Sequence, residues 1–591
     1  MTKLDNLVQL YQRSCAKYAD REILGTRKGG GWQWLTYRQF RNLVDDVRAG
    51  LAGLGVSPGD RVAFIGDNSV EWAATAYATY GLAASFVPMY QAQRPHEWQF
   101  ILADCAARVV VVATAATYDA IGGMRARLPA LAHVVGVAQP DGAPDSWAAL
   151  VAAGAAHPVE ARSPGPDDIA GFIYTSGTTG TPKGALLSHR NITSNVEALH
   201  GLVQLEPSDR YLSFLPWAHS YGQTVELHML HTYGASLAIN DELPRLLDNL
   251  VEVKPTVLVA VPRIFNRIYD VVNRELATRP ALLQKLVRHG LAQAIRRGRG
   301  EPIGPLGKLE LALEDRIVFQ KIRDKLGGNL RFAFTGSAAI SKSVAEFIDA
   351  LGITVYEGYG LTETSPVVTS NSPAGRRFGS VGRVLPGVHV EIDTRVTGDS
   401  RQGEIVVYGP NVMRGYHNRP EETAAALMPD GGLRTGDLGY FDDDGYLYIS
   451  GRIKEQYKLE NGKYVMPSVL EEALKLSPYI ANIMIHGDGR PFNVAVVVPS
   501  APAIAAWARQ EGMTLPADPT TDQRVHALIV AEIDRLSTDF KGYEKPRAIA
   551  LVAEDFTIAN GMLTPTLKLR RRDVLARHGK LIERLYADAS T

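Results

Sequence analysis

Residues 174–184, YTSGTTGTPKG, concentrate the groups that bind an anion. Glycines let backbone N–H groups approach an anion closely, and successive N–H groups can form a concave nest around it. The serine and threonine hydroxyl groups add donors, and Lys183 adds a positive charge. Because glycine and proline interrupt helices and strands, we expect a loop after a strand that ends at residues 171–174. The run predicts a phosphate-binding loop, with a flexible surface turn as the open alternative.

Three better-known motifs do not fit the sequence. A Walker A lysine follows a glycine and precedes serine or threonine, whereas Lys183 lies between Pro182 and Gly184. The segment EGYGLTE at residues 357–363 has no third glycine for a dinucleotide fingerprint. No G-x-S-x-G elbow supplies a serine nucleophile. The phosphate chemistry must therefore come from another arrangement.

Length and composition limit the class of protein. A chain of 591 residues predicts two or more domains. The 63 Lys and Arg residues balance the 63 Asp and Glu residues, so there is no overall field that would attract nucleic acid. Cys15 and Cys105 are the two cysteines, which excludes a disulfide scaffold or a cysteine zinc site and fits a reducing cytosol. With no secretory start and no long apolar run, we expect a soluble, cytoplasmic, multidomain protein.

Strands and helices alternate along the chain, which predicts an α/β fold. We expect a helix at residues 70–84, and a surface connection at 138–168 whose AALVAA piece is helical. About the last 140 residues predict a separate lobe. We expect strands at residues 61–69, 107–115, 404–408, 440–449 and 493–498, the fourth region containing an Asp-Gly hairpin turn.

One segment, residues 279–300, raises the question of membrane contact. It contains no acidic residue, and its apolar side chains Leu283, Val287, Leu291 and Ile295 share one helical face. A basic amphipathic helix can lie on the anionic inner face of a membrane. The alternative, which we favour, is a surface helix docked on the core with a solvated basic side.

Five blocks follow the first run in a fixed order. They are FTGSAAIS (334–341), YEGYGLTETSP (356–366), GEIVVYGPNVMRGYHNRPEET (403–423), the block from LRTGD to SVLE (433–471) and GMLTPTLKLRR (561–571). Together they resemble the signature blocks of the AMP-forming, adenylate-forming (ANL) superfamily of acyl-CoA synthetases and ligases, from about residue 20 onward. KLENGKYV and TPTLK are similar in particular to the long-chain fatty acyl-CoA synthetases.

The resemblance implies an α/β fold with two domains. A large N-terminal adenylation domain of mixed sheets and helices, residues 1–451, would hold the ATP and acyl sites. A small, mobile α+β C-terminal domain, residues 452–591, would turn about a hinge near Lys454.

The resemblance also implies an ATP site with Mg²⁺ as cofactor. The first run would bind the β- and γ-phosphates, Tyr359 would pack on adenine, and Thr362 would contact the α-phosphate. Thr175 and Glu363 would hold Mg²⁺ through hard oxygen ligands. The implied ATP- and AMP-binding residues are Thr175, Ser176, Gly177, Thr178, Thr179, Gly180, Lys183, Gly336, Ser337, Glu357, Gly358, Tyr359, Thr362, Asp437, Arg452 and Lys568.

Each polar assignment has a structural alternative. Asp437 would accept hydrogen bonds from the ribose hydroxyls with Arg452 assisting, or both are turn residues. Glu363 would otherwise stabilise a helix start. Lys568, with Thr362 and Glu363, is implied to be catalytic: a cation between the carboxylate and the α-phosphate offsets their repulsion. Its alternative is a solvated lysine in a basic tail.

The second half-reaction and the acyl site are implied by position. CoA thiolate would attack the acyl-adenylate, with pantetheine passing Gly462, which is otherwise an Asn-Gly hairpin turn. Residues 215–237 match the acid site: His219 lies beside the carboxylate or is a wall histidine, and Trp217 gates the acyl tunnel or belongs to the core, which we favour. Met466 stands where many relatives have a small alanine. The sequence therefore does not decide the details of the CoA tunnel at this position.

The sequence thus predicts an ATP-dependent ligase that joins a fatty acid of long-chain type to CoA, releasing AMP and pyrophosphate. A related alternative is an acyl-AMP ligase that loads a carrier protein, against which the KLENGKYV block argues. A second alternative is a nucleotide- and lipid-binding protein without turnover. Glu363, Asp437 and Lys568 argue against that alternative.

Overall fold

A computed structural model describes residues 3–176, 182–299, 301–315, 319–338, 340–397, 399–564 and 566–588 of the protein. The chain divides into two compact units. The larger contains Met1–Glu391, Val406–Thr435 and Phe441–Tyr448, and the smaller contains Ile392–Ile405, Gly436–Tyr440 and Ile449–Thr591. A large N-terminal and a smaller C-terminal part, both mixing helices and strands, confirm the predicted fold class. The exact boundary at residues 451 and 452 stays a prediction.

The elements alternate as the sequence predicts. The strands, in chain order, are β1 (Glu22–Lys28), β2 (Gly31–Thr36), β3 (Arg61–Ile65), β4 (Ser85–Met89), β5 (Val109–Val112), β6 (His133–Gly136), β7 (Ile169–Ser176), β8 (Pro182–Ser188), β9 (Arg210–Ser213), β10 (Ser236–Ile239), β11 (Val257–Ala260), β12 (Phe332–Thr335), β13 (Thr354–Gly360), β14 (Val367–Ser370), β15 (Arg383–Val384), β16 (His389–Asp393), β17 (Gly403–Tyr408), β18 (Leu433–Phe441), β19 (Leu447–Arg452), β20 (Tyr457–Lys458), β21 (Tyr464–Val465), β22 (Ile480–His486), β23 (Asn493–Pro499) and β24 (Pro546–Leu551). The α-helices are α1 (Leu7–Lys17), α2 (Tyr37–Gly53), α3 (Val70–Tyr80), α4 (Pro95–Asp104), α5 (Ala115–Met124), α6 (Trp147–Ala156), α7 (His189–His200), α8 (Met229–Tyr233), α9 (Leu246–Val253), α10 (Pro262–Ala277), α11 (Ala281–Gly298), α12 (Pro305–Glu314), α13 (Gln320–Asp324), α14 (Lys342–Ala350), α15 (Pro420–Ala426), α16 (Pro467–Leu474), α17 (Ala501–Gln510), α18 (Gln523–Leu536) and α19 (Arg571–Asp588). A π-helix, Gly222–His228, directly precedes α8.

A six-stranded sheet in the larger unit has the order β6-β5-β3-β4-β7-β8. Its strands are parallel except for the antiparallel pair β7 and β8. β5 has the sequence VVVV with every residue buried, as a parallel strand covered on both faces requires. The predictions of strands at β3 and β5 and of helix α3 between them are confirmed. The helical piece predicted in the Ala-rich connection is α6.

The run at residues 174–184, YTSGTTGTPKG, departs from the predicted loop at both ends. β7 continues through Ser176 and β8 begins at Pro182, so that Thr175 pairs with Lys183 across an antiparallel hairpin. The expectation that a loop begins after Tyr174 is wrong, because ladder pairing outweighs the low strand propensity of these residues. Pro182 is tolerated because it occupies the first strand position. The predicted phosphate-binding residues Gly177, Thr178, Thr179 and Gly180 lie outside the described residues.

A nine-stranded sheet in the larger unit has the order β15-β14-β13-β12-β11-β9-β10-β1-β2. The six strands β13, β12, β11, β9, β10 and β1 run parallel, and β2, β14 and β15 add antiparallel pairs at the two ends. The carboxyl ends of parallel strands meet at one edge, which is where ligands bind in α/β sheets. The segments that follow β9, β12 and β13 carry both predicted acyl residues, Trp217 and His219, and the predicted nucleotide residues Gly336, Ser337 and Thr362.

The smaller unit contains its own sheet and cores. β22 pairs antiparallel with β23, and β23 pairs parallel with β24. The predicted strand at residues 493–498 is β23, whose apolar side chains divide between two buried clusters. Half-buried Arg571 forms an ion pair with buried Glu471, and Glu471 Oε1 also accepts the Ile485 N–H at 2.6 Å. The charges of this pair are thus compensated by hydrogen bonds.

The basic segment forms helix α11, and of its predicted apolar face Val287 is buried while Leu283, Leu291 and Ile295 are half-buried. Val287, Gly290 and Ala294 are buried, whereas Lys285 and Arg288 are exposed. This arrangement is the docked surface helix that the sequence favours. Residue 300 of the segment lies outside the described residues. Among the described helices, none is long and apolar enough to cross a membrane.

Candidate active site

The segments after β12 and within β13 lie side by side at the carboxyl edge of the nine-stranded sheet. A Cβ atom added to Gly336 would lie 3.5 Å from the Gly358 carbonyl oxygen and 3.5 Å from the ring of Tyr221. Ser337 has a left-handed backbone, with φ of 68°. The structure therefore brings together two of the segments predicted to bind adenine, with little side-chain bulk between them. Tyr359 continues the same strand, opposite Thr369 of β14.

Glu357 is a buried acid within this predicted nucleotide site. Its carboxyl group accepts the Ile340 N–H at 3.3 Å, and burial raises its pKa to about 8. A carboxyl group with this pKa is protonated at neutral pH. Burial thus favours the neutral form of the Glu357 carboxyl group.

Thr362 is buried and lies beside the segment that follows β9. Its Oγ1 lies 3.3 Å from Oγ of Ser220, and the Thr224 hydroxyl group donates to the Ser365 carbonyl oxygen at 3.2 Å. Thr362, which is predicted to contact the α-phosphate, thus lies against the segment that is predicted to form the wall of the acyl site. A carboxylate held by that wall would lie close to Thr362.

A second cluster surrounds Glu363 and Lys183. The Tyr416 hydroxyl group donates to Glu363 Oε1 at 2.6 Å, and the Met413 N–H donates to the Glu363 carbonyl oxygen. Lys183 Nζ lies 3.7 Å from Glu422 Oε1 and 5.6 Å from the centroid of the Tyr416 ring. Sequence reasoning missed Tyr416 and Glu422, although both lie in a block that carries the resemblance.

The donor set around Glu363 fits Mg²⁺ held together with a nucleotide. The described residues contain no group of three or more His, Cys, Asp or Glu side chains that could hold a metal alone. The Glu363 carboxylate and the predicted second ligand, the Thr175 hydroxyl group, are hard oxygen donors of the kind that share Mg²⁺ with substrate phosphates. Both residues belong to the larger unit.

Asp437 and Arg452 form an ion pair within the smaller unit. Arg452 Nε donates to Asp437 Oδ1 at 2.6 Å, and the Asp437 side chain is 7% exposed. They lie on β18 and at the end of β19, so neither is a turn residue. A carboxylate accepts hydrogen bonds from hydroxyl groups and a guanidinium donates to them, so both groups are of the kind that the predicted ribose contacts need.

Lys568 lies on a tight turn of the smaller unit. Its N–H donates to Thr564 Oγ1 at 3.0 Å, and the Thr564 N–H donates to the Lys568 carbonyl oxygen at 2.8 Å. Leu567 has a left-handed backbone with φ of 61°, and the Lys568 side chain is exposed. The turn therefore fixes the backbone of Lys568 while its side chain points to the surface of the unit.

The hinge and CoA residues also lie in the smaller unit. Gly462 has φ of 83° in the turn between β20 and β21, which confirms the Asn-Gly hairpin. Lys454 is exposed just after β19. Met466 packs against Gly451: a Cβ atom added to that glycine would lie 2.5 Å from the Met466 sulfur. Roles of Gly462 and Lys454 in the reaction stay predictions.

Trp217 and His219 occupy different environments. Trp217 is fully buried, with its ring 5.5 Å from the Trp72 ring in an edge-to-face contact, as a core residue would be. His219 is half-buried and accepts the Tyr221 N–H at Nδ1 at 3.2 Å, so a neutral imidazole carries its proton on Nε2. Their contact with an acyl group stays a prediction.

Residues predicted to bind the nucleotide lie at the carboxyl edge of the nine-stranded sheet, and Lys568 lies on the separate smaller unit, as the resemblance to the adenylate-forming enzymes implies. The chain belongs to the AMP-binding enzyme family: the AMP-binding enzyme model matches residues 11–417, and the model of its C-terminal domain matches residues 454–590. The resemblance on which the sequence analysis rests is thereby confirmed.

Curated relatives match nearly the whole chain. Long chain acyl-CoA synthetase 7, peroxisomal, from Arabidopsis thaliana is 31% identical over 97% of this chain and 85% of its own length. Long-chain-fatty-acid–CoA ligase FadD15 from Mycobacterium bovis is 32% identical over 94% of this chain and 93% of its own. Among solved structures, the A domain of carboxylic acid reductase from Segniliparus rugosus, in complex with AMP and a co-purified carboxylic acid, shares the fold. Its TM-score is 0.79 at 23% identity, covering 100% of this chain and 95% of that one.

Proposed function

We propose that the protein is a long-chain fatty acid–CoA ligase that works through an acyl-adenylate. The observation that supports this proposal is the contact of Ser220, in the predicted acyl wall, with Thr362, the residue predicted to contact the α-phosphate. The full-length similarity to long-chain acyl-CoA synthetases supports the same substrate class.

Adenylation brings two anions together. A carboxylate oxygen attacks the α-phosphorus of ATP, a P–O bond forms, and the bond to pyrophosphate breaks. Thr362 donates to an α-phosphate oxygen, Lys183 binds the departing pyrophosphate, and Lys568 offsets the repulsion between carboxylate and phosphate. Asp437 and Arg452 hold the ribose hydroxyl groups.

Thr175 and Glu363 are the residues that would hold Mg²⁺. When bound, Mg²⁺ neutralises negative charge on the triphosphate. The hydrogen bond from Tyr416 fixes the orientation of the Glu363 carboxylate.

Thioester formation uses a different face of the smaller unit. The CoA thiolate attacks the acyl carbonyl carbon, a C–S bond forms, and the bond to AMP breaks. In our proposal the smaller unit turns about Lys454 between the two steps, which withdraws Lys568 and brings the Gly462 turn to the pantetheine arm. The missing side chain at Gly462 permits the close backbone approach that a narrow passage needs.

The proposal is tested with palmitate, ATP and Mg²⁺, to which either CoA or a holo-acyl carrier protein is added. We expect AMP release and a palmitoyl thioester with CoA, and none with the carrier protein. Pyrophosphate exchange without CoA-dependent AMP release would overturn the ligase assignment. Transfer to the carrier protein alone would favour the acyl-AMP ligase instead.

We further propose that the solvated basic side of the docked helix α11 makes an electrostatic contact with an anionic membrane surface, while its apolar side stays packed on the larger unit. Lys285, Leu286 and Arg288 are exposed on one side, while the apolar side is packed against the unit. Such a contact must weaken as salt screens it. Co-sedimentation with phosphatidylglycerol vesicles should occur in dilute buffer and be lost at about 0.5 M NaCl. Equal sedimentation of a Lys285→Glu/Arg288→Glu variant would exclude this surface.

A further inference from the structure

Four residues of the larger unit form a closed ring of hydrogen bonds, made by four side chains and the main-chain N–H of Trp217. The Asn68 amide donates to Ser213 Oγ at 3.1 Å, and the Ser213 hydroxyl group donates to Glu226 Oε2. Trp217 Nε1 donates to the same oxygen at 3.2 Å, and the Trp217 N–H donates to Asn68 Oδ1 at 2.7 Å. The Asn68 amide also donates to the Leu215 carbonyl oxygen at 2.7 Å. The segment 213–217 is thus held from two sides.

Glu226 is the acceptor on which this ring depends. It is 1% exposed and lies within the π-helix, a form that frequently marks functional sites. Burial raises its pKa to about 8, while the donors Ser213 and Trp217 act in the opposite direction. Removing the acceptor would leave two buried donors without their partner, which is costly away from water.

The segment held by the ring continues directly into the candidate active site. Three residues further along the chain from Trp217, Ser220 contacts Thr362. The next residue, Tyr221, packs its ring against the backbone at Gly336. Any movement of residues 213–217 is therefore passed to the place where an acyl carboxylate meets the α-phosphate.

We propose that Glu226 is a positioning residue for the acyl carboxylate: through Ser213, Trp217 and Asn68 it holds the segment that carries His219 and Ser220 against Thr362. This inference rests on the proposed function. Glu226 itself touches no substrate. Its effect is on fatty-acid binding and on the geometry of adenylation, because a small displacement of a positioning group has a large effect on rate.

The variants Glu226→Leu and Glu226→Gln separate this role from general stability. Leucine removes the acceptor at similar volume, whereas glutamine keeps one carbonyl oxygen for the two donors. We expect Glu226→Leu to raise the KM for palmitate about tenfold in pyrophosphate exchange, with the KM for ATP changed less than about twofold. Glu226→Gln should restore the palmitate KM to within about threefold of the wild type.

Asn249→Leu is the matched control, since Asn249 is a fully buried polar residue of the same unit that bonds Asn240 and Asp241. It should lower stability and leave the palmitate KM unchanged. The inference is overturned if Glu226→Leu and Asn249→Leu have the same palmitate KM, or if palmitate and ATP KM values rise together.

Ser213→Ala removes one hydroxyl group and provides a second test should Glu226→Leu not fold: a wild-type palmitate KM would overturn the inference. Absence of palmitoyl-CoA formation by the wild type would instead overturn the proposed function.

Discussion

The hydroxyl group of Tyr416 lies 2.6 Å from Oε1 of Glu363, and the two residues are 53 positions apart in the chain. The ring of Tyr416 also lies near Lys183, so one side chain contacts both the predicted Mg²⁺ ligand and the predicted pyrophosphate lysine. A hydrogen bond to one carboxylate oxygen orients the other oxygen toward a metal. The structure therefore gives Tyr416 a supporting position that the motif alone does not identify.

Tyr416→Phe keeps the ring and removes this hydrogen bond. We expect the Mg²⁺ concentration that gives half-maximal pyrophosphate exchange to rise about tenfold. Loss of a residue that hydrogen-bonds a metal ligand typically lowers the affinity for the metal by at least about this factor. Tyr408→Phe is the matched control, since that tyrosine donates to the exposed Asp430 at 3.3 Å. An unchanged Mg²⁺ dependence, with Mn²⁺ titrated in parallel, would contradict the proposed support of Glu363.

Lys568→Ala should separate the two half-reactions. Removing the cation that offsets the carboxylate–phosphate repulsion should slow pyrophosphate exchange by about 10²- to 10³-fold. Conversion of supplied palmitoyl-AMP and CoA to palmitoyl-CoA should fall by less than about threefold, because that step does not use the lysine. Lys580→Ala on α19 is the control, an exposed lysine of the same unit. Equal losses in both steps would show that Lys568 does not act in adenylation alone.

Asp437→Asn tests the ribose assignment. Loss of the carboxylate charge weakens hydrogen bonds from the ribose hydroxyl groups and leaves Arg452 without its ion-pair partner. We expect the KM for ATP to rise about tenfold or more, and calorimetric AMP binding to weaken in proportion. Glu554→Gln removes one partner of the exposed pair with Arg577 and should change neither value by more than about twofold. An unchanged AMP affinity in Asp437→Asn would remove Asp437 from the nucleotide site.

The sequence predicts several elements of the scaffold because these elements have strong local patterns. β3, β5 and β23 are apolar runs that end in polar turns, and α3 is bounded by a serine cap and a glycine. The hairpin turn at Gly462 follows from an Asn-Gly pair. Local chemistry decides these elements, so a single sequence is sufficient to place them.

The ring around Glu226 could not be predicted in the same way. Asn68 and Ser213 are 145 residues apart, and neither belongs to a motif. Glu226 is one acid in the apolar stretch GQTVELHML, whose π-helical form no periodicity reveals. The strand at Thr175 and Ser176 was missed for a related reason, because pairing with β8 is a tertiary contact that overrides local propensity. Long-range contacts of single polar residues leave no local signal.

Two buried histidines predict how stability depends on pH. His228 and His231 are both bonded to the Tyr77 hydroxyl group, at 2.9 and 3.2 Å through Nδ1. Burial lowers the pKa of His228 to about 3 and that of His231 to about 4. In the unfolded chain each has a pKa of about 6.5, so between these values only the unfolded state binds the protons. The two neutral histidines therefore make their full contribution to the free energy of unfolding above about pH 6.5. This contribution is lost as the pH falls toward 4.

We expect each histidine to lower the free energy of unfolding by about 1.4 kcal/mol at pH 5.5 relative to neutral pH. Tryptophan fluorescence in urea reports on the larger unit, which contains six of the seven tryptophans. Between pH 7.5 and 5.5 the wild type should lose about 3 kcal/mol more stability than the His228→Asn/His231→Asn variant. Asparagine keeps a polar atom near the Nδ1 position and does not titrate. Comparison of the two proteins cancels the contributions of Glu226 and Glu357, whose raised pKa values act in the opposite direction. Parallel pH profiles for the two proteins would mean that the histidines are already protonated in the folded state.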